Sequence, residues 1–143
     1  MLKRELSPSE LPQFCEELVS GFTTKQILLL QGSVGVGKTH FVKALLESLG
    51  FSGAHSPSYS LINEYQGRRF KKIFHIDLYR LEDEDDMEST GFWDLFEEES
   101  ALILIEWPEK MNLSELPRDW SQFTLSLSNS ASEETRLYQW SGS

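Results

Sequence analysis

The amino-acid sequence predicts one α/β domain built on a strand–loop–helix unit, and three observations carry that prediction. A short apolar strand over residues 26–31 runs directly into the glycine-rich segment Gly32-Ser33-Val34-Gly35-Val36-Gly37-Lys38-Thr39. A helix pattern follows at once, with Phe41, Val42, Leu45, Leu46 and Leu49 on one face and Gly50 at its end. Further along, Ala101–Glu106 is a continuous apolar run of the kind found in strands covered on both faces. The chain has 143 residues, the size of one ordinary domain. No repeat, low-complexity tract or linker divides it, so residues 1–143 read as a single domain.

The elements follow in order. Ser7 is placed to cap a first helix, Pro8 suits its first position and Glu10 completes a capping box. Leu11, Phe14, Cys15, Leu18, Val19 and Phe22 recur at helical spacing, and Gly21 is a stop signal. Cys15 lies on that apolar stripe and reads as core rather than nucleophile. After the glycine-rich loop and its helix, His55-Ser56-Pro57 is loop. Residues 59–66 and 70–77 read as strands joined by Gly67-Arg68-Arg69. One or two short helices are expected across the acidic stretch 82–97, followed by the strand Ala101–Glu106. Residues 120–128 and 135–140 alternate as a closing hairpin.

Composition narrows the function classes. The formal net charge is −10, which argues against nucleic acid gripped by this surface alone, because phosphate contacts need clustered Lys and Arg. Much of the acid falls in residues 82–86 and 97–99, read as a solvated surface, with a docking face for a basic partner as the alternative. The apolar runs are far shorter than the ~20 residues of a membrane span, and the first residues hold no signal-peptide core. The single cysteine fits a reducing, cytoplasmic setting. Weak self-association is left open, though not through the acidic face.

The glycine-rich segment matches Gly-x-x-x-x-Gly-Lys-Ser/Thr in full and in its required context, strand before and helix after. Its glycines let the backbone curl so that N–H groups point inward around an anion, and the helix N-terminus adds partial positive charge. Lys38 is expected to reach the β- and γ-phosphates of a nucleoside triphosphate, and the Thr39 hydroxyl to sit on Mg2+. Such a site needs a carboxylate at the end of a neighbouring strand. Two positions offer one, Asp77 after Ile73-Phe74-His75-Ile76 and Glu106 after Leu102-Ile103-Leu104-Ile105. His75 reads as a hydrogen-bonded structural residue in preference to a base. Arg80 is equally suited to a phosphate or to the acidic run after it. The hydroxyls of Ser56-Pro57-Ser58-Tyr59-Ser60 suit a segment that contacts the γ-phosphate. No Asn-Lys-x-Asp motif for guanine is present, which favours adenine.

Four blocks in this order resemble the TsaE family, formerly YjeE, the bacterial ATPases of tRNA threonylcarbamoyladenosine biosynthesis. They are Gly32 to Thr39, His55-Ser56-Pro57-Ser58-Tyr59-Ser60-Leu61-Ile62-Asn63-Glu64-Tyr65, His75-Ile76-Asp77-Leu78-Tyr79-Arg80-Leu81, and Ile105-Glu106-Trp107-Pro108-Glu109. The last two are far more specific than a phosphate loop. The resemblance implies a three-layer phosphate-loop fold with a mixed central sheet and weak intrinsic, Mg-dependent ATP hydrolysis. It also implies work beside a TsaD–TsaB heterodimer, with tRNA met only through those partners. By matching positions, Lys38, Asp77 and Glu106 serve catalysis, and Thr39 and Glu106 hold Mg2+. Residues 32–39, His40, Ser58, Ser60, Asp77 and Trp107 line the nucleotide. Ser9, near the first helix, and Arg136, the C-terminal basic residue, complete the set. The family has Thr where Ser58 and Ser60 stand, and more often Thr or a small residue at His40. The competing readings are a small-molecule kinase, for which Arg68-Arg69 is the only paired-arginine segment, and a binding module that senses ATP without useful hydrolysis.

Overall fold

The computed structural model describes residues 2–33, 35–51, 62–66, 69–81, 87–88 and 90–142. Seven strands form one sheet in the order β1-β7-β6-β2-β5-β4-β3. They are β1 (Leu2–Leu6), β2 (Lys25–Gln31), β3 (Ile62–Tyr65), β4 (Ile73–Asp77), β5 (Ala101–Glu106), β6 (Ser121–Asn129) and β7 (Arg136–Gly142). The centre is parallel, with β2 between β5 and β6 and β5 next to β4. The flanks are antiparallel, β1 and β6 on β7 and β3 on β4, so the sheet is mixed as expected.

Strand alternation divides the core in two. Leu28, Leu30, Leu102 and Leu104 point to the face covered by helices α1 (Leu11–Ser20) and α2 (Lys38–Ser48). Ile27, Leu29, Ile103 and Ile105 point to the other face, where they meet Phe92, Met87 and Trp120. The longest described helix of that second cover is not an α-helix. The expected short helix in the acidic stretch is a 3-10 helix, Phe92–Glu97, whose Phe92 ring packs edge to face on Trp93 and Phe96, and whose Phe96 ring packs edge to face on Trp120. β5 is buried along its whole length, consistent with an apolar run lying between two strands and two covers.

Two local outcomes differ from the sequence reading. The capping box is present, since the Glu10 carboxylate accepts from the Ser7 N–H and hydroxyl, both at 2.9 Å. The helix it caps nevertheless opens with a 3-10 turn, Pro8–Glu10, before α1 begins at Leu11. Pro12 explains this: it has no N–H to give the Pro8 carbonyl, so the Leu11 N–H bonds that carbonyl with 3-10 spacing. β1 was not expected at all. Only Leu6 of its five residues is buried, and the strand is held by pairing with β7. Cys15 is fully buried as read, and burial pushes its thiol up to about 12. Among the described residues no helix is long and apolar enough to cross a membrane.

Candidate functional site

The parallel register brings the sequence-predicted residues to one end of the sheet. Leu30 of β2 pairs with Glu106 of β5, and Glu106 pairs with Asp77 of β4. The carboxyl ends of three neighbouring strands therefore carry the glycine-rich loop and both candidate acids. Open α/β sheets bind ligands at such ends.

The loop is shaped by positions only glycine fills cheaply. At Gly32, with φ +154°, a Cβ would stand 2.9 Å from Val36 Cγ1 and 3.0 Å from the Leu127 carbonyl oxygen. Gly37 is left-handed at φ +114° and caps α2, so Lys38 and Thr39 open that helix. Val36 is buried beneath the loop. Its carbonyl accepts from Arg136 Nε at 3.1 Å, which ties the loop to the start of β7. The Arg136 guanidinium also donates to the Glu133 and Thr135 carbonyls.

Lys38 is the most informative residue here. It is only 7% exposed, and its ammonium has no hydrogen-bond partner among the described residues. What it meets is the Trp107 ring, whose centroid lies 4.1 Å from Nζ. Trp107 is the one described non-glycine residue with positive φ, at 59°, a conformation that costs an L-residue roughly 1–2 kcal/mol. Its N–H donates to the Leu30 carbonyl, and its ring packs on Tyr79 with centroids 4.9 Å apart. A buried ammonium backed by an aromatic face, at a helix N-terminus beside curled glycines, fits an anion and leaves the lysine donors free for it.

The two acids are held differently. Asp77 caps the 3-10 turn Leu78–Arg80 by accepting from the Tyr79 N–H at 3.0 Å. Glu106 is 9% exposed, and its Oε2 is 2.5 Å from His75 Nε2. His75 is thus hydrogen-bonded, as read, but to a candidate site residue rather than to the framework. Thr39 is exposed on the first turn of α2. Among the described residues no group of three His, Cys, Asp or Glu stands together. A donor set of one hydroxyl and one or two carboxylates suits Mg2+, which keeps most of its shell as water and phosphate oxygen.

A cavity of about 360 Å3 runs beside the loop, lined by Pro8, Leu11, Val36, His40, Arg136 and Tyr138 among others. This is within the roughly 300–1,000 Å3 of ligand clefts. It brings together the regions of Ser9 and Arg136, distant in sequence. The Ser9 hydroxyl itself lies 3.0 Å from Ser7 Oγ, while its neighbour Pro8 faces the cavity. Burial pushes the Tyr138 phenol up to about 12, so it stays protonated. Tyr138, Leu11 and the His75–Glu106 contact were not legible in sequence: Tyr138 and Leu11 read there as plain strand and helix core. Val34, Ser58 and Ser60 lie outside the described residues, as does Arg68, and the side chain of Arg80 is not described.

Comparison with known proteins gives a family and a fold. The family model described as "Threonylcarbamoyl adenosine biosynthesis protein TsaE" matches residues 6–137. A protein named tRNA threonylcarbamoyladenosine biosynthesis protein TsaE from Borreliella burgdorferi is 39% identical over 94 residues, 66% of this chain and 67% of that one. Its namesake from Haemophilus influenzae is 41% identical over 68% of this chain and 62% of its own, a little under two thirds of the relative. The one from Aquifex aeolicus is 34% identical over 77% of this chain and 80% of its own. The crystal structure of Bacillus subtilis YdiB shares the fold, with a TM-score of 0.72 and 23% identity over 97% of this chain and 83% of that one.

Proposed function

The chain belongs to the TsaE family, and from that premise we propose that it is the ATP-binding and hydrolysing subunit of a tRNA threonylcarbamoyladenosine-forming assembly, acting with a TsaD–TsaB pair. The observation that carries the chemistry is the buried Lys38 ammonium, without a hydrogen-bond partner among the described residues, between the glycine loop and Trp107. In this reading Lys38 takes the β- and γ-phosphates and the loop N–H groups surround them. Thr39 and Glu106 hold Mg2+, which would neutralise charge on the phosphate oxygens. Asp77, fixed by the Tyr79 N–H, orients water at the same strand end. The cavity between Pro8 and Arg136 receives the base and sugar, with His40 and Tyr138 at its walls. A net charge of −10 favours tRNA being held by the partners.

The kinase reading needs arginines that close over the transferred phosphate. Arg69 instead donates to the Phe22 carbonyl, and these residues precede β4 and β2. That places it at the amino ends of the strands, opposite the loop. The test is calorimetric titration of ATP with Mg2+, followed by turnover with and without purified TsaD–TsaB. Binding that Lys38→Ala abolishes, with turnover raised by the pair, is the expected result. Equal ATP affinity and hydrolysis in Lys38→Ala, or no response to the pair, would overturn it.

A further inference from the structure

We propose that His75 is a positioning residue for Glu106: its imidazole fixes the carboxylate in the orientation from which it serves the metal. This rests on the reading of Glu106 as the metal-side acid.

The geometry is set by the sheet. In the parallel β4–β5 pair, Asp77 stands opposite Glu106 and His75 opposite Leu104. Alternation puts residues 75 and 77 of β4 and 104 and 106 of β5 on one face. The His75 ring therefore reaches diagonally toward the strand end, and its Nε2 meets Glu106 Oε2 at 2.5 Å. Both side chains are largely enclosed, at 17% and 11% exposure. A carboxylate has no proton to give, so the ring nitrogen donates.

Three features separate this contact from an ordinary satisfied core histidine. First, among the described residues it is the only side-chain hydrogen bond Glu106 makes, so it is the polar restraint on the carboxylate there. Second, it occupies Oε2, and Oε1 has no hydrogen-bond partner among the described residues. Third, Glu106 adjoins Trp107, whose backbone is strained and whose ring lies against Lys38. Partners that orient a metal-binding carboxylate typically change metal affinity or activity about 10–100-fold when removed.

The test compares wild type with His75→Leu, His75→Gln and Glu106→Gln. Isothermal titration gives the affinity for a non-hydrolysable ATP analogue in EDTA and in saturating Mg2+, and the ratio of the two is the readout. Thermal melting is followed in parallel. His75→Leu is expected to reduce the Mg2+ enhancement about tenfold or more while leaving the EDTA affinity in place. His75→Gln, whose amide offers an N–H at similar reach, should recover it to within about threefold. If His75→Leu only lowers the melting temperature and keeps the enhancement, His75 is framework and the inference is wrong. If Gln recovers nothing, the donor is not what matters and the inference is equally wrong. If Glu106→Gln keeps the enhancement, the metal-side assignment itself falls, a failure distinct from the other two.

Discussion

Replacing Lys38 with methionine should make the nucleotide-free protein more stable while disabling it. Lys38 Nζ is buried without a hydrogen-bond partner among the described residues. An unsatisfied buried donor costs about 1–3 kcal/mol, more when charged. The Trp107 ring at 4.1 Å offsets about 0.5–2 kcal/mol of this. Methionine keeps the packing of the lysine stem and removes the charge, so a net gain of about 1 kcal/mol is expected. For a chain of this length that raises the melting temperature by about 3–4 °C.

Nucleotide binding should move the other way. Removing the cation from a phosphate site costs about 2–5 kcal/mol, so affinity falls at least about thirtyfold. ATP at a hundred times the wild-type Kd stabilises wild type by about 2.7 kcal/mol, but a thirtyfold weaker variant by only about 0.9 kcal/mol. In a thermal-shift assay the nucleotide-induced rise therefore drops from about 9 °C to about 3 °C or less. A Lys38→Met protein about 1 kcal/mol or more less stable than wild type without nucleotide would refute the claim that the ammonium is buried at a cost. A full nucleotide-induced shift in that variant would refute its role as the phosphate cation.

Two further outcomes are expected. Arg136→Ala removes the donor to the Val36 carbonyl, and a charged hydrogen bond at a half-exposed site makes a loss of about tenfold in ATP affinity reasonable; an affinity within about twofold of wild type, measured with a fluorescent ATP analogue, would mean the C-terminal hairpin does not shape the loop. Cys15 should resist alkylation in the native protein at pH 8, because burial pushes its thiol to about 12 and shields it. Iodoacetamide labelling followed by mass spectrometry should show slow modification that denaturant accelerates, and equal rates in both conditions would place Cys15 at the surface.

The parts legible in sequence were those with a strong local signal. The strand, loop and helix from β2 to α2 carry a full motif in context, and Ala101–Glu106 is too apolar to lie anywhere but the centre. The hairpin β6–β7 announced itself through alternation. β1 gave no such signal, since four of its five residues face solvent and its hydrogen bonds come from a strand more than a hundred residues away. The 3-10 start of the first helix turned on one missing N–H at Pro12, a detail that a capping-box pattern does not contain. Both candidate acids were found, but only the sheet register shows that they face each other across β4 and β5. Their different restraints, a backbone N–H for Asp77 and an imidazole for Glu106, are tertiary facts.

Several costly features lie together at the loop end of the sheet, although the buried Trp120 indole N–H, just before β6, is also without a hydrogen-bond partner among the described residues. Lys38 and Glu106 are two of the three buried polar side chains among the described residues, with Gln26 the third. Gln26 sits at the far end of β2, where its amide donates to the Ile27 and Ser121 carbonyls and accepts from the Thr23 N–H. Gln26 is thus satisfied by neutral groups. The loop end holds an ammonium without a hydrogen bond among the described residues, a carboxylate with one side-chain tether and a left-handed tryptophan. Elsewhere the same sheet packs Leu, Ile and Phe at ordinary positions. Local rules are broken where a structure is used rather than merely kept. A site tuned for stability alone would place an apolar residue at position 38. The lysine there makes sense if a phosphate group supplies the partner that the described residues do not.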